Sequence, residues 1–182
     1  FGAFAKSGET IGLGGTALQL FTHGTITGLA FLLVGLTYER THTRNIPELG
    51  GLALKMPLIA TFFVIAGFAS LGLPGLSGFV AELMIFVGTF KLGGIYAIST
   101  TLAVSGVILA AAYTLWMIQR AYFGLSPDPK SPVFKNFDSL EDMSITELSA
   151  VVLLTFTIIL VGIYPSIITD LFNIGVGEIF SR

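Results

Sequence analysis

Four stretches of this sequence carry no Asp, Glu, Lys or Arg: residues 10–38, 56–81, 92–119 and 148–169. Each is long enough for a helix to cross a bilayer, which takes about 20 mostly apolar residues at 1.5 Å each to span roughly 30 Å of hydrocarbon. Inside hydrocarbon the backbone must satisfy its own hydrogen bonds, and a helix does so within one segment. Only 11% of the 182 residues are charged, against about 25% in an ordinary soluble domain. The pattern predicts an all-α fold: a polytopic membrane helical bundle, one transmembrane domain over residues 1–182 with four spans in the lipid bilayer. The spans fall at about 13–37, 56–90, 96–123 and 145–164.

Charge and cysteine content narrow the chemistry. A net charge of −2 argues against a nucleic-acid partner, because binding phosphates needs clustered Lys and Arg. With no Cys, the chain has no thiolate for an iron–sulfur cluster, no disulfide and no thiol nucleophile. His23 and His42 give no metal-ligand spacing, and Gly12-Leu13-Gly14-Gly15 is too short and misplaced for a dinucleotide fingerprint. The opening Phe1-Gly2-Ala3-Phe4-Ala5-Lys6 has no Met and no charged region ahead of an apolar core. It does not resemble a signal peptide, and the chain is expected to be a C-terminal piece of a longer polypeptide.

The second span requires an interruption. As one straight helix, 56–90 would measure roughly 52 Å. Within Leu71-Gly72-Leu73-Pro74-Gly75-Leu76-Ser77-Gly78, Pro74 removes a backbone donor and clashes with the preceding turn, while Gly72, Gly75 and Gly78 permit nonhelical dihedrals. The predicted break is therefore at Leu73-Pro74-Gly75. It could be the unwound middle of one span or a re-entrant turn between two. With one broken span, six basic residues (Arg40, Arg44, Lys55, Arg120, Lys130, Lys135) face three (Lys6, Lys91, Arg182) across the membrane; with two spans the split is five against four. The larger asymmetry favours the broken span, with both chain ends outside the cytoplasm.

Smaller signals fill in the connections. Gly24 and Gly28 form a small-xxx-small pair suited to close helix approach, Trp116 and Tyr122 flank Arg120 as an interfacial anchor, and Pro165 disfavours helix at Tyr164. The acidic cluster Asp138, Glu141 and Asp142 precedes the last helix and reads as its cap.

Two ionisable side chains lie within the apolar spans, at a cost of about 2.5–3.5 kcal/mol for Asp, Lys or Arg at a helix centre. His23 shares a helix face with Thr16, Gln19 and Thr27, at offsets of −7, −4 and +4. That polar stripe can hold a hydrogen-bonded water chain, and histidine titrates near neutrality. The alternative is a neutral buried His bonded to Thr or a carbonyl. Glu82 follows Pro74 by eight residues. Poised between desolvation and a nearby cation, a carboxyl can take up and release a proton. Its alternative role is a fixed partner for a cation outside this chain. Pro74, Gly75 and Gly78 would line hydrated protein interior, since unwound backbone survives in a membrane only there; a plain kink is the other reading.

The run Leu20-Phe21-Thr22-His23-Gly24, continuing through Gly28 to Gly35 and on to Tyr38-Glu39-Arg40-Thr41-His42-Thr43-Arg44, resembles the antiporter-like M subunit (chain 4) of proton-translocating NADH:quinone oxidoreductase, respiratory complex I. Gly50-Gly51 with Met56-Pro57, Leu73-Pro74-Gly75 through Gly78-Phe79-Val80-Ala81-Glu82-Leu83-Met84, Arg120-Ala121-Tyr122-Phe123-Gly124 and Gly162-Ile163-Tyr164-Pro165 agree in order. The resemblance implies roughly the C-terminal third of a fourteen-helix subunit, with the position of His23 in a central polar axis and that of Glu82 toward the next antiporter-like subunit. It implies no cofactor on this chain. NADH, flavin, iron–sulfur clusters and quinone would belong to partner subunits, and the partners would be other antiporter-like and membrane-arm subunits. The location implied is the bacterial inner membrane. A cation/proton antiporter or membrane-bound hydrogenase subunit of the same fold, and a non-transporting scaffold, are the rival readings.

Overall fold

The structure, a computed structural model, describes residues 10–124, 129 and 131–172. All its regular elements are helical: α1 (Thr10–Thr41), α2 (Pro57–Ser70), α3 (Ser77–Lys91), α4 (Gly94–Ile118), the short α5 (Pro132–Lys135) and α6 (Ile145–Ile163). α4 runs on into a wider π-helical turn, Gln119–Phe123, and single 3-10 turns occupy Ile46–Glu48, Leu52–Leu54 and Phe137–Ser139. Three helical stretches, Thr10–Thr41, Gly94–Phe123 and Ile145–Ile163, are long and apolar enough to cross a membrane, and α2 is a shorter apolar helix. The predicted spans thus appear as helices, with α1 about a turn longer at each end than expected.

The contacts divide the chain into two compact units. The first draws on Phe1–Ile26, Phe68–Ala110 and Phe156–Arg182, the second on Thr27–Gly67 and Ala111–Thr155.

In the first unit, α3 packs against the N-terminal half of α1 and the C-terminal half of α6 around buried Leu18, Ala81 and Val161. Small residues set the approach. A Cβ on Gly15 would meet Met84 and the Ile85 amide nitrogen, and one on Gly162 would meet backbone atoms of Gly75 and Leu76. The close approach predicted at Gly24 and Gly28 is not used within the described residues: nothing lies within 4 Å of a Cβ on either. Both glycines are exposed, and the buried side chains Leu18, Thr22 and Leu29 fall on the other side of α1.

The break between α2 and α3 covers residues 71–76, and its start is sharper than Pro74 alone explains. Gly72 adopts a left-handed φ of 66°. The Leu73 amide donates to the Phe68 carbonyl at 3.1 Å and the Gly72 amide to Ala69 at 3.3 Å. Those two bonds make a Schellman stop, which satisfies the last carbonyls of α2, and Pro74 follows where the helix can no longer continue. Gly75 is the second left-handed residue, at φ 93°. Gly78 departs from expectation: it is buried and helical within α3, and its missing side chain lets the backbone rest on the Ala69 carbonyl.

In the second unit, Leu29, Leu33, Leu52, Met56 and Ile59 are fully buried, and the Phe63 and Tyr122 rings lie 4.9 Å apart. Arg40 binds four acceptors: the carbonyls of Leu36, Glu141 and Asp142, and the Glu147 carboxylate at 2.7 Å. The acidic cluster does not act as one cap on α6. Asp142 accepts from the Leu58 and Ile59 amides at 2.7 and 3.2 Å, sealing the start of α2, while exposed Asp138 pairs with Lys55 at 2.8 Å. α6 is capped instead by Ser144 and Glu147, each side chain accepting from the other's amide, a capping box. The physical reason is reach: the loop folds back over α2, whose first amides have no partner in their own helix.

Candidate functional site

Glu82 lies in the second turn of α3, where α3 leaves the break. Its carboxylate rests on the turn that ends α2: a Cβ on Gly72 would sit 2.6 Å from Oε2 of Glu82 and 3.3 Å from its Cδ. The absent side chain at Gly72 therefore serves twice, allowing the left-handed stop and making room for the acid. Glu82 is partly buried and lines a pocket of about 270 Å³ with Ser70 and Leu71 at the end of α2, Phe86, and Ala103, Gly106 and Ala110 of α4. The wall is apolar apart from Glu82 and Ser70, so the carboxylate is the dominant charge in it. Among the described residues there is no group of three or more His, Cys, Asp or Glu suited to a metal ion.

His23 is on α1 and exposed among the described residues. Of the polar stripe only His23 is exposed; Thr16, Gln19 and Thr27 are half-buried. Thr16 is satisfied by its own helix, donating to the Gly12 carbonyl at 2.8 Å, and Gln19 accepts from buried Thr22 at 3.3 Å. His23, Thr16, Gln19 and Thr27 are not in the wall of the Glu82 pocket. The predicted site residues thus form two separate features, a carboxyl beside a helix break and a stripe on α1 that runs from half-buried Thr16, Gln19 and Thr27 to exposed His23.

Pro74 and Gly75 are exposed, so the polar interior of the break is not at its tip. It is at Ser77, 1% exposed, whose hydroxyl oxygen has no hydrogen-bond partner among the described residues. Sequence reasoning missed Ser77, and it placed Gly72 in the break without foreseeing the helix stop it makes or its contact with Glu82. The signal for Gly72 was present: a glycine two residues before a proline at the end of an apolar run is the pattern of a Schellman stop.

Comparison with known proteins places this geometry. The family model described as "NADH:quinone oxidoreductase/Mrp antiporter, TM" matches residues 2–110. The NAD(P)H-quinone oxidoreductase chain 4 2 of Synechococcus sp. (strain JA-3-3Ab) is 40% identical over 172 residues, covering 90% of this chain and 30% of that relative. The NADH-quinone oxidoreductase subunit M of Rhodobacter capsulatus is 38% identical over 178 residues, 98% of this chain and 33% of the relative. Among solved structures, respiratory complex I from Thermus thermophilus with bound NADH matches with a TM-score of 0.70 at 31% identity, over 85% of this chain and 31% of that one. The chain spans about a third of the length of these relatives. With its long apolar helices it is an integral membrane protein, and it belongs to the NADH:quinone oxidoreductase/Mrp antiporter transmembrane family.

Proposed function

We propose that this chain is the C-terminal part of a proton-translocating, M-type membrane subunit of an NADH:quinone oxidoreductase, in which Glu82 and His23 relay protons while redox chemistry takes place in partner subunits. The observation that carries the reading is the Glu82 carboxylate held against Gly72 and open to a pocket. An acid in that position has fixed backbone on one side and room for water on the other. Proton transfer there makes and breaks only O–H bonds: a protonated water on the incoming side gives its proton to a carboxylate oxygen and becomes neutral water, and the carboxyl then gives the proton to a second water on the outgoing side, restoring the carboxylate. The outward face of His23 supports a role for its stripe toward other parts of the assembly, where water or a polar helix can complete it. NADH, flavin, iron–sulfur clusters and quinone are assigned to those partners, and the bacterial relatives support an inner-membrane location.

The test is Glu82→Gln in the full assembly reconstituted into liposomes. Protons pumped per electron pair should fall at least severalfold while the complex still assembles; unchanged pumping would remove Glu82 from the path. A second reading is a cation/proton antiporter, favoured by the antiporter half of the family description. A sodium requirement for transport would select it. The single carboxylate in the pocket supports the proton, since hard cations take several oxygen ligands.

A further inference from the structure

The second unit carries an open pocket of about 140 Å³ where the C-terminal end of α1, the loop after it, α2 and the end of α4 meet. Val34, Phe63, Met117 and Ala121 give it apolar walls. The hydroxyls of Thr37, Tyr122 and Thr43 border it too, but they are already engaged, Thr37 and Tyr122 with each other at 2.8 Å and Thr43 with Glu48 at 2.6 Å. An apolar cavity of about 150 Å³ stays dry and takes up benzene, so a space of this size suits a stretch of about six carbons. The rim has the opposite character. Arg44 lines the pocket and is exposed, its guanidinium carbon 4.6 Å from the centre of the Tyr38 ring. Among the described residues the ion pairs at this end belong to Arg40 and Lys55, and Arg44 has no carboxylate beside it. Stacking on Tyr38 orients a planar fork of donors, the geometry that takes a phosphate through two parallel bonds. Arg120, 5.2 Å from the Trp116 ring and next in sequence to Ala121, marks this level as the membrane interface, where aromatic rings and basic side chains gather.

We propose that this pocket is a phospholipid site: Arg44 binds the phosphate of an anionic lipid in the adjoining leaflet, and the first carbons of one acyl chain lie between Val34, Phe63, Met117 and Ala121. Charge complementarity selects this occupant. A helix from the rest of the assembly would have to bring its own carboxylate to the rim, whereas lipid phosphates already stand at this level of an anionic leaflet. The open side lets the chain enter sideways from the bilayer. The site is independent of whether Glu82 carries protons. A lipid held there fastens α1, the loop after it, α2 and α4 together at one end of the second unit.

The experiment uses the full assembly in phosphatidylcholine nanodiscs that contain photoactivatable phosphatidylglycerol, with a diazirine in the first part of one acyl chain. After illumination, peptide mass spectrometry should find the label on Phe63 and Met117. Arg44→Gln should lower that label at least threefold. Lys135→Gln removes an equal charge from an exposed position outside the pocket and should leave the label unchanged. The same diazirine carried by phosphatidylcholine should label the pocket of the parent assembly at least threefold less. Val34→Trp, at a half-open position in the wall (39% exposed), fills the pocket without altering charge and should also remove the label. A parent assembly with no label in the pocket, as when a protein helix covers it, overturns the proposal, and so does equal labelling in Arg44→Gln and Lys135→Gln. If Arg44→Gln does not assemble, Val34→Trp and the comparison of the two lipids decide, with a threefold loss required in each.

Discussion

The hydroxyls of Thr37 and Tyr122 are 2.8 Å apart, and Thr37 also donates to the Leu33 carbonyl at 2.8 Å. With its one proton committed there, Thr37 is the acceptor and Tyr122 the donor. The bond ties the C-terminal end of α1 to that of α4. An even number of membrane crossings must separate two ends on the same side; α4 supplies one, so α2 and α3 together supply the other. This supports the single broken span over two separate ones, in line with the asymmetry of basic residues.

Because the chain contains no cysteine, that topology can be read by single-cysteine labelling. Thr43→Cys and Ser139→Cys should react with a membrane-impermeant maleimide from one face of sealed vesicles, and Ile95→Cys only from the other. Labelling of Thr43→Cys and Ile95→Cys from the same face, with Ser139→Cys reached only from the other, would require two crossings between residues 56 and 91.

Gly72 and Gly75 both have left-handed backbone, yet they should respond differently. Gly72→Ala adds strain of about 1–2 kcal/mol for the left-handed conformation and pushes its Cβ against Glu82. Gly75→Ala adds only the strain, since nothing lies within 4 Å of its Cβ. Both should lower thermal stability, and only Gly72→Ala should shift the Glu82 infrared band and reduce pumping.

Arg40 reaches four acceptors from one planar group, a geometry that lysine cannot reproduce. Arg40→Lys keeps the charge but gives up most of these bonds, and at about 1.5–3 kcal/mol for a charged hydrogen bond it should destabilise the assembled subunit by about 2 kcal/mol or more. Thermal unfolding in detergent measures this, and a change under 0.5 kcal/mol would show that the bonds contribute little.

In the loop between α1 and α2, Glu48 accepts from the Thr43 hydroxyl at 2.6 Å and from the Asn45 amide at 2.9 Å. The Thr43 bond first and the Asn45 bond second hold its carboxyl below the ordinary glutamate range. A lowered value stabilises the fold above the free-glutamate pKa, and that contribution disappears as pH falls through the lowered value. Hydrogen exchange at the Glu48 and Leu49 amides should therefore gain an extra acceleration, beyond the intrinsic pH trend, below about pH 4. Glu48→Gln should abolish that extra pH dependence.

Much of this fold was legible because charge is scarce in a membrane segment. The four uncharged windows located α1, the α2–α3 pair, α4 and α6, and the Pro74 region located the break. Glu82 stood out because an acid in such a segment needs a reason. Periodicity, however, shows which residues share a helix face without showing which face is covered. His23 therefore came out exposed, and Gly15 rather than Gly24 or Gly28 became the point of close approach. The capping box at Ser144 and Glu147 has the Ser-x-x-Glu spacing of such a box, but in the sequence the acidic cluster just before it reads as the cap instead. The seal that Asp142 puts on α2 was not readable, because nothing local joins residues so far apart in sequence.

That seal bears on how the protein is made. Asp142 binds the Leu58 amide across 84 positions of chain, and at about 5–20 residues per second synthesis needs roughly 4–17 s to traverse that distance. Throughout the interval, the newborn α2 must keep its leading amides near lipid headgroups or water, or borrow acceptors from the insertion machinery. Biogenesis of this part of the membrane domain is consequently timed by a loop that emerges late, and a ribosome stalled before residue 142 would leave α2 in place but unfinished.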